Sequence, residues 1–481
     1  FLALPAAAQF RAAPVELSRP ALPVPALLAA PALTPLSAAS LPSLAVSPLP
    51  SALPSALPTA MPVVRAAAAV PAAPERAAAS PLRSLTQAEK GFGRAARGSG
   101  SELSARAAAF FDGAGALPAV SAVREAAPAD GFSWKDFESA DGARVSYALR
   151  RPETEKGPAR VFVGGMTLPE SFQTYFRTER PERAEYALSF RGLPPTAWHA
   201  TRELFDADAR DLARMINVAA ARSPGGRVEL ALHSYGTLAF QRMVQLRAEP
   251  EVAKALAALR GQRVVMFSPT THYGDSETVA GPQYAQMARQ VRMLVDWLDA
   301  GDLAVSEWRA AARLNPLLYP QAEAVAMAWA MQRDTALAMA AQPASQLQLD
   351  HLSEKWSPEL EGTRKELVRR TRRASSEAGW QEAALRRAND TSKLDFTAAD
   401  AEAVRKAGVR LDLVLSHDDQ LIPWASARLL PALFGVELPE AAPAAGTLAR
   451  DASGAVRVMV LDGDHYLPLK HPRRAADVLG R

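Results

Sequence analysis

The residues best suited to chemistry follow three apolar runs of the chain. Ser234 comes after the run at 228–233 and precedes a helical pattern. A serine on such a strand-to-helix turn has an exposed hydroxyl, and the helix N-terminus directs backbone N–H groups toward it. Asp418 and Asp419 follow a second apolar run, and His465 follows the last one. These residue types can together perform nucleophilic catalysis, because a base takes the serine proton and a carboxylate orients the base.

The neighbours of Ser234 fit this interpretation in part. A strained turn of this type needs small residues two positions away on either side. Gly236 meets the requirement, whereas Leu232 does not. His233 directly precedes the serine. The alternative is that Ser234 is an ordinary helix N-cap.

The run His-Ser-x-Gly between a strand and a helix resembles the α/β-hydrolase family, in its form with histidine before the nucleophile. The resemblance covers about residues 131–481. In that family the acid follows the penultimate strand, often four residues before a proline, which selects Asp419 and leaves Asp418 as the alternative acid. The family's histidine follows the last strand, where this chain has His465; the alternative is an exposed loop residue. The chain order Ser, Asp, His is also that of the family.

The resemblance also implies an oxyanion hole made of two backbone N–H groups. One belongs to the residue after the nucleophile, which is Tyr235. The other comes from a loop after an early strand, where Gly164-Gly165-Met166 replaces the family's usual His-Gly. Met166 is the expected donor, with Gly165 in the loop. The glycines can instead serve only to permit a tight turn.

Composition divides the chain into five parts. Residues 1–82, rich in Ala, Pro, Leu and Ser, predict a disordered arm that begins with a possible signal-peptide remnant. Residues 83–128 predict a helical lead-in. Residues 129–275 and 408–481 alternate short apolar runs with amphipathic stretches, which predicts an α/β core with a mostly parallel sheet of about eight strands. Residues 276–407 have helical periodicity without a strand pattern and are predicted to be a large inserted helical cap.

Composition and motifs also exclude several classes of site. None of the 481 residues is cysteine, so disulfides, thiolate metal sites and a cysteine nucleophile are ruled out. The net charge of +4 comes from scattered basic residues, and no nucleic-acid motif accompanies it. Metalloprotease, Walker and dinucleotide motifs are missing, so we expect no metal and no organic cofactor. Prolines interrupt the apolar stretch at 21–64, so we expect no integral membrane segment. The apolar N-terminus favours an exported bacterial protein, periplasmic or extracellular, over a cytoplasmic one.

These observations predict a serine hydrolase that cleaves an ester of a small molecule, as a carboxylesterase or lipase does, through an acyl-enzyme intermediate. Met and Trp residues at helical spacing in 276–407 either pack as core or line an apolar wall, which favours an apolar substrate. Two alternatives stay open. One is a catalytically inactive binding protein with this fold, favoured by Leu232 and the altered Gly-Gly-Met loop. The other is an acyltransferase that uses the same triad.

Overall fold

The computed structural model describes most of the chain after residue 131. The described residues are 132–165, 182–201, 203–271, 282–354, 356, 358–419 and 421–480, with two three-residue strands, Ala8–Phe10 and Leu33–Pro35, which pair with each other. The rest of the predicted arm, the helical lead-in and Met166 lie outside the described residues. No helix within these ranges is both long enough and apolar enough to cross a bilayer.

A nine-stranded, mostly parallel sheet forms the centre of the described region. In chain order its strands are β1 (Ser133–Glu138), β2 (Arg144–Arg150), β3 (Ala159–Val163), β4 (Glu185–Leu188), β5 (Val228–His233), β6 (Arg263–Phe267), β7 (Arg410–Ser416), β8 (Leu448–Arg450) and β9 (Val456–Leu461). Their order across the sheet is β1-β2-β4-β3-β5-β6-β7-β9-β8. The pairs β1–β2, β2–β4 and β9–β8 are antiparallel, and the others are parallel. The predicted α/β class is therefore confirmed, with nine strands in place of about eight.

Local sequence explains most of these strands. The hairpin between β1 and β2 turns at Asp141-Gly142, where Gly142 has a φ of 80° that a residue without Cβ adopts at little cost. The central strands are continuous apolar runs because helices cover both faces. Along β5, Leu230 and Leu232 belong to the hydrophobic cluster on one face and Ala231 to the cluster on the other. This alternation follows the two-residue period of a strand.

Twelve α-helices surround the sheet or connect its strands in the described residues. They are α1 (Leu204–Ala220), α2 (Tyr235–Gln245), α3 (Pro250–Ala258), α4 (Pro282–Leu314), α5 (Tyr319–Ser353), α6 (Glu361–Ser375), α7 (Ala378–Thr391), α8 (Ala398–Lys406), α9 (Trp424–Ala427), α10 (Leu429–Leu433), α11 (Leu467–Lys470) and α12 (Pro472–Gly480). Short 3-10 helices lie at Pro224–Gly226, Pro316–Leu318 and Pro358–Leu360. Helices α1 and α2 bury their apolar faces against one side of the sheet, and α12 packs in the cluster on the other side.

Between β6 and β7, the described residues form helices without any strand. Helices α4 and α5 share a small hydrophobic cluster that contains Leu298 and Trp329. A Cβ on Gly301 would lie 2.2 Å from the Trp329 ring, so only glycine allows this close packing. The N-terminus of α8 is closed by a capping box between Thr397 and Asp400.

This helical segment is not uniform. Trp380 of α7 and Val404 of α8 are buried in the main hydrophobic cluster of the sheet, so these two helices pack as part of the core. Met293, Met327 and Met331 are 43%, 46% and 53% exposed. They do not pack as core, although their spacing is that of a buried stripe. The cap boundaries at 276 and 407 stay predictions.

Candidate active site

Ser234 lies on the turn between β5 and α2, in a backbone conformation that is rare for serine. Its φ is 51° and its ψ is −116°, a conformation that typically costs about 1–3 kcal/mol. The Ser234 N–H donates to the Phe267 carbonyl at 3.0 Å, and the Gly236 N–H donates to the Gly164 carbonyl at 3.2 Å. A Cβ on Gly236 would lie 2.9 Å from the Val163 carbonyl oxygen. The turn therefore requires glycine at 236 because the strand β3 passes so close.

Leu232 is accommodated without opening the turn. Its side chain is fully buried, and it stands opposite Val163 on one side and Met266 on the other. All three side chains belong to one hydrophobic cluster. The expectation that this position needs a small residue is therefore wrong for this chain, because the leucine packs into the core.

The structure brings His465 between Ser234 and Asp419. Its Nε2 lies 3.0 Å from Ser234 Oγ, and its Nδ1 lies 2.9 Å from Asp419 Oδ2. Asp419 Oδ1 accepts the N–H groups of Leu421 and Ile422 at 2.9 and 2.8 Å. These bonds hold the carboxylate in one orientation toward the imidazole.

Asp418 faces away from this group. Its Oδ1 lies 2.8 Å from Nδ1 of His417, and its side chain is 63% exposed. The side chain of Asp419 is only 5% exposed. Of the two adjacent carboxylates, only Asp419 contacts His465 in the described residues.

The surroundings of Asp419 favour its ionised form. Burial opposes ionisation, but the adjacent His465 and the Ile422 N–H outweigh it and hold the pKa of Asp419 below its ordinary value. A carboxylate only accepts hydrogen bonds, so His465 Nδ1 carries the proton. The opposite nitrogen, Nε2, is then free to accept the proton of the Ser234 hydroxyl.

Ser268 is a residue of this group that sequence analysis missed. Its hydroxyl is one of the groups that lower the pKa of Asp419, and its Oγ lies 3.4 Å from Ser416 Oγ. It follows β6 with a φ of 47°, and its N–H donates to the Val414 carbonyl at 2.9 Å. The only available signal was a serine at a strand end, which is too common to be informative.

Three strand ends thus bring together a serine, an aspartate and a histidine in that chain order, with the serine on a strained strand-to-helix turn. The chain has the α/β-hydrolase fold.

Comparisons with known proteins add solved structures of low identity. No family model matches the chain, and no curated protein matches it. It is similar to a candidate acyltransferase from Salmonella enterica (14% identity, TM-score 0.45, covering 74% of this chain and 97% of that one). It is also similar to a thermophilic esterase from Thermogutta terrifontis (11% identity, TM-score 0.40, covering 72% of this chain and 97% of that one). A third similar structure is a candidate epoxide hydrolase from Pseudomonas aeruginosa (14% identity, TM-score 0.41, covering 74% of this chain and 96% of that one). These likenesses concern the fold and leave the activity of this chain open.

The predicted oxyanion loop of this α/β-hydrolase fold lies beside the nucleophile. A Cβ on Gly165 would lie 3.7 Å from Ser234 Cβ and 3.6 Å from His233 Nδ1. Tyr235 is the first residue of α2, so its N–H is one of the first-turn groups that have no partner within the helix. Met166 lies outside the described residues, so its donor role stays a prediction.

His233 supports the loop that carries His465. Its side chain is fully buried, and Nε2 donates to the His465 carbonyl oxygen at 2.8 Å. Burial and the neighbouring His465 lower the pKa of His233 to about 3. The ring is therefore neutral at ordinary pH, which allows it to fill a buried position directly behind the nucleophile.

Replacing His233 by glutamine is expected to make folding less sensitive to acid. Free histidine takes up a proton near pH 6.5, whereas folded His233 does so only at about pH 3. Between these values the unfolded chain binds more protons, so the free energy of unfolding falls as pH falls, by up to about 1.4 kcal/mol per pH unit. Glutamine can donate to the same carbonyl and does not titrate. Urea unfolding from pH 7 to pH 4.5 should show a shallower pH slope for His233→Gln, and equal slopes would contradict the assignment.

Arg191, in the turn after β4, has a structural role. Its guanidinium is 1% exposed, and Nε donates to Asp211 Oδ2 at 2.7 Å. It also binds Asp141 and Ser139. These bonds tie the β1–β2 hairpin to α1.

Proposed function

We propose that this protein is a serine hydrolase that cleaves a carboxylic ester through an acyl-enzyme intermediate. One observation carries the proposal: His465 lies 3.0 Å from Ser234 Oγ through Nε2 and 2.9 Å from Asp419 through Nδ1. These distances are within the range needed for proton transfer to a general base and for its orientation by a carboxylate.

In the first half of the reaction, Ser234 Oγ forms a bond to the ester carbonyl carbon and its proton passes to His465 Nε2. Asp419 stabilises the imidazolium that results. The negative oxygen of the tetrahedral intermediate accepts the Tyr235 N–H and, as the family resemblance implies, the Met166 N–H. The intermediate collapses when the bond to the alkoxide breaks, and this leaving group takes the proton from Nε2.

In the second half, water attacks the acyl carbon of Ser234 while His465 Nε2 removes its proton. The ester bond to Ser234 breaks, and Oγ takes the proton back from Nε2. The products are one carboxylic acid and one alcohol, and no other reactant is needed. An alcohol or amine in place of water would give acyl transfer by the same steps.

An apolar acyl or alkyl group is the proposed substrate preference. The helices between β6 and β7 carry apolar side chains at their surface, among them Met293, Met327 and Met331. Methionine side chains adapt to apolar ligands of varied shape. The preference predicts faster hydrolysis of medium acyl chains than of acetate.

A fluorophosphonate probe tests the proposed activity on the full chain. It should add one phosphonyl group to the peptide that contains Ser234, and p-nitrophenyl esters of two to twelve acyl carbons should be hydrolysed, fastest at intermediate length. Heat-denatured protein is the control, since labelling requires the assembled triad. A folded chain that neither reacts with the probe nor hydrolyses any ester, yet binds one tightly, would instead be a binding protein. Product analysis with added alcohols separates hydrolysis from acyl transfer.

A further inference from the structure

A buried ion pair connects a helix of the β6–β7 segment with the residue that follows the nucleophile. Arg387 of α7 and Asp208 of α1 are both 0% exposed at their side chains, and Arg387 Nε donates to Asp208 Oδ2 at 2.7 Å. The Tyr235 hydroxyl donates to the same oxygen at 2.7 Å. We refer to these three residues as the Arg387 cluster. It is distinct from the triad, and the reaction steps above do not use its side chains.

The cluster holds the Tyr235 ring from several directions. The Arg387 guanidinium lies 5.4 Å from the centre of the Tyr235 ring and 5.5 Å from that of Phe190. Tyr235 also packs edge-on against Phe190, with ring centres 5.3 Å apart, and lies 5.9 Å from Phe205. The ring can therefore change neither its tilt nor its depth without breaking a hydrogen bond or an aromatic contact.

The charges of the cluster are compensated within it. Arg387 Nη2 donates to Asp208 Oδ1 at 3.3 Å and to the Arg191 carbonyl at 2.6 Å. Burial, with the Asp208 charge, raises the pKa of Tyr235 far above its ordinary value, so the phenol keeps its proton and donates it. A buried ion pair of this kind contributes little net stability compared with apolar residues of similar size, but it specifies one arrangement of its partners.

The position of the Tyr235 ring matters because the same residue supplies the proposed oxyanion donor. Its N–H must point at the position of the developing negative charge, and the loss of one such donor lowers the rate by about 10²–10³-fold. The ring is attached one residue after Ser234, on the first turn of α2. Fixing the ring therefore also restrains the N–H on the same residue.

We infer that the Arg387 cluster is a positioning device for the oxyanion donor, through which α7 influences transition-state stabilisation. The inference rests on the proposed function of Ser234. The side chains of the cluster fix the direction of the Tyr235 N–H, and none of them touches the substrate. A purely structural role would change the amount of folded enzyme, whereas a positioning role changes the rate constant of each active site.

The test is Tyr235→Phe, which removes the hydroxyl and keeps the backbone N–H. After active sites are counted with the fluorophosphonate, kcat per site should fall about tenfold while KM changes less than twofold. The inhibition constant of a trifluoromethyl ketone, whose adduct with Ser234 carries an oxyanion, should rise about tenfold in parallel. Tyr186→Phe is the matched control, because Tyr186 is a buried tyrosine of β4, and its kcat and inhibition constant should equal those of the wild type.

A second variant keeps the inference testable if single changes of the ion pair prevent folding. Removal of Arg387 alone would leave Asp208 charged and buried, which is strongly destabilising. The double variant Asp208→Leu/Arg387→Met removes both charges, and we expect it to fold and to show the same tenfold loss of kcat per site. If both variants keep wild-type kcat and ketone inhibition while the wild type labels at Ser234, only the inference is overturned. A folded wild type that neither labels nor hydrolyses esters overturns the proposed function, and the inference with it.

Discussion

Ser234→Ala is expected to lower kcat for ester hydrolysis by about 10⁵-fold, because an assembled triad without its nucleophile keeps only the catalysis due to binding and the oxyanion hole. Ser234 Oγ lies 3.0 Å from His465 Nε2, so its proton is the one placed for transfer to that base. Alanine keeps the size of the Cβ and so leaves the strained turn and its backbone hydrogen bonds intact. Initial rates with a p-nitrophenyl ester, measured at high enzyme concentration, provide the comparison.

The matched control for this variant is Ser376→Ala. Ser376 is exposed at the end of α6 and donates only to the nearby Arg373 carbonyl, so its loss should change neither kcat nor probe labelling. The thermal midpoint of Ser234→Ala should stay close to that of the wild type. Ester hydrolysis by Ser234→Ala above about one hundredth of the wild-type rate would assign the nucleophile to another residue.

Asp419→Asn is expected to lower kcat by about 10⁴-fold. An asparagine amide would donate to His465 Nδ1, which places the imidazole proton on Nε2. That nitrogen could then no longer accept the Ser234 proton. The geometry around the side chain should persist, since the remaining carbonyl oxygen can still accept the N–H groups of Leu421 and Ile422.

Asp418→Asn provides a stringent comparison, because it is the same chemical change one residue earlier. Asp418 is exposed and contacts His417 rather than His465, so kcat should stay within about twofold of the wild type. If Asp418→Asn lost activity and Asp419→Asn kept it, the proposed acid would be wrong. Circular dichroism of both variants checks that neither change unfolds the chain.

The positions of the three strand ends could be predicted from the residues because apolar runs mark buried strands. The carboxyl ends of parallel strands lie at one edge of a sheet, so Ser234, the Asp418-Asp419 pair and His465 could be expected to converge there. The family resemblance then favoured Asp419 by its distance from Pro423. The short strand Leu448–Arg450 was not predictable, because three residues carry no measurable alternation.

Only the tertiary structure shows which side chains pack together when they lie far apart in the sequence. Leu232 looked unsuitable beside the nucleophile, yet it packs between Val163 and Met266, residues far from it in sequence. Methionines with the spacing of a buried stripe, such as Met331, are exposed because no partner element covers that side of the helix in the described residues. The ion pair between Arg387 and Asp208 joins residues 179 positions apart. Periodicity reports which face of an element is apolar, whereas such a pair depends on how two elements pack, and only the folded chain specifies that.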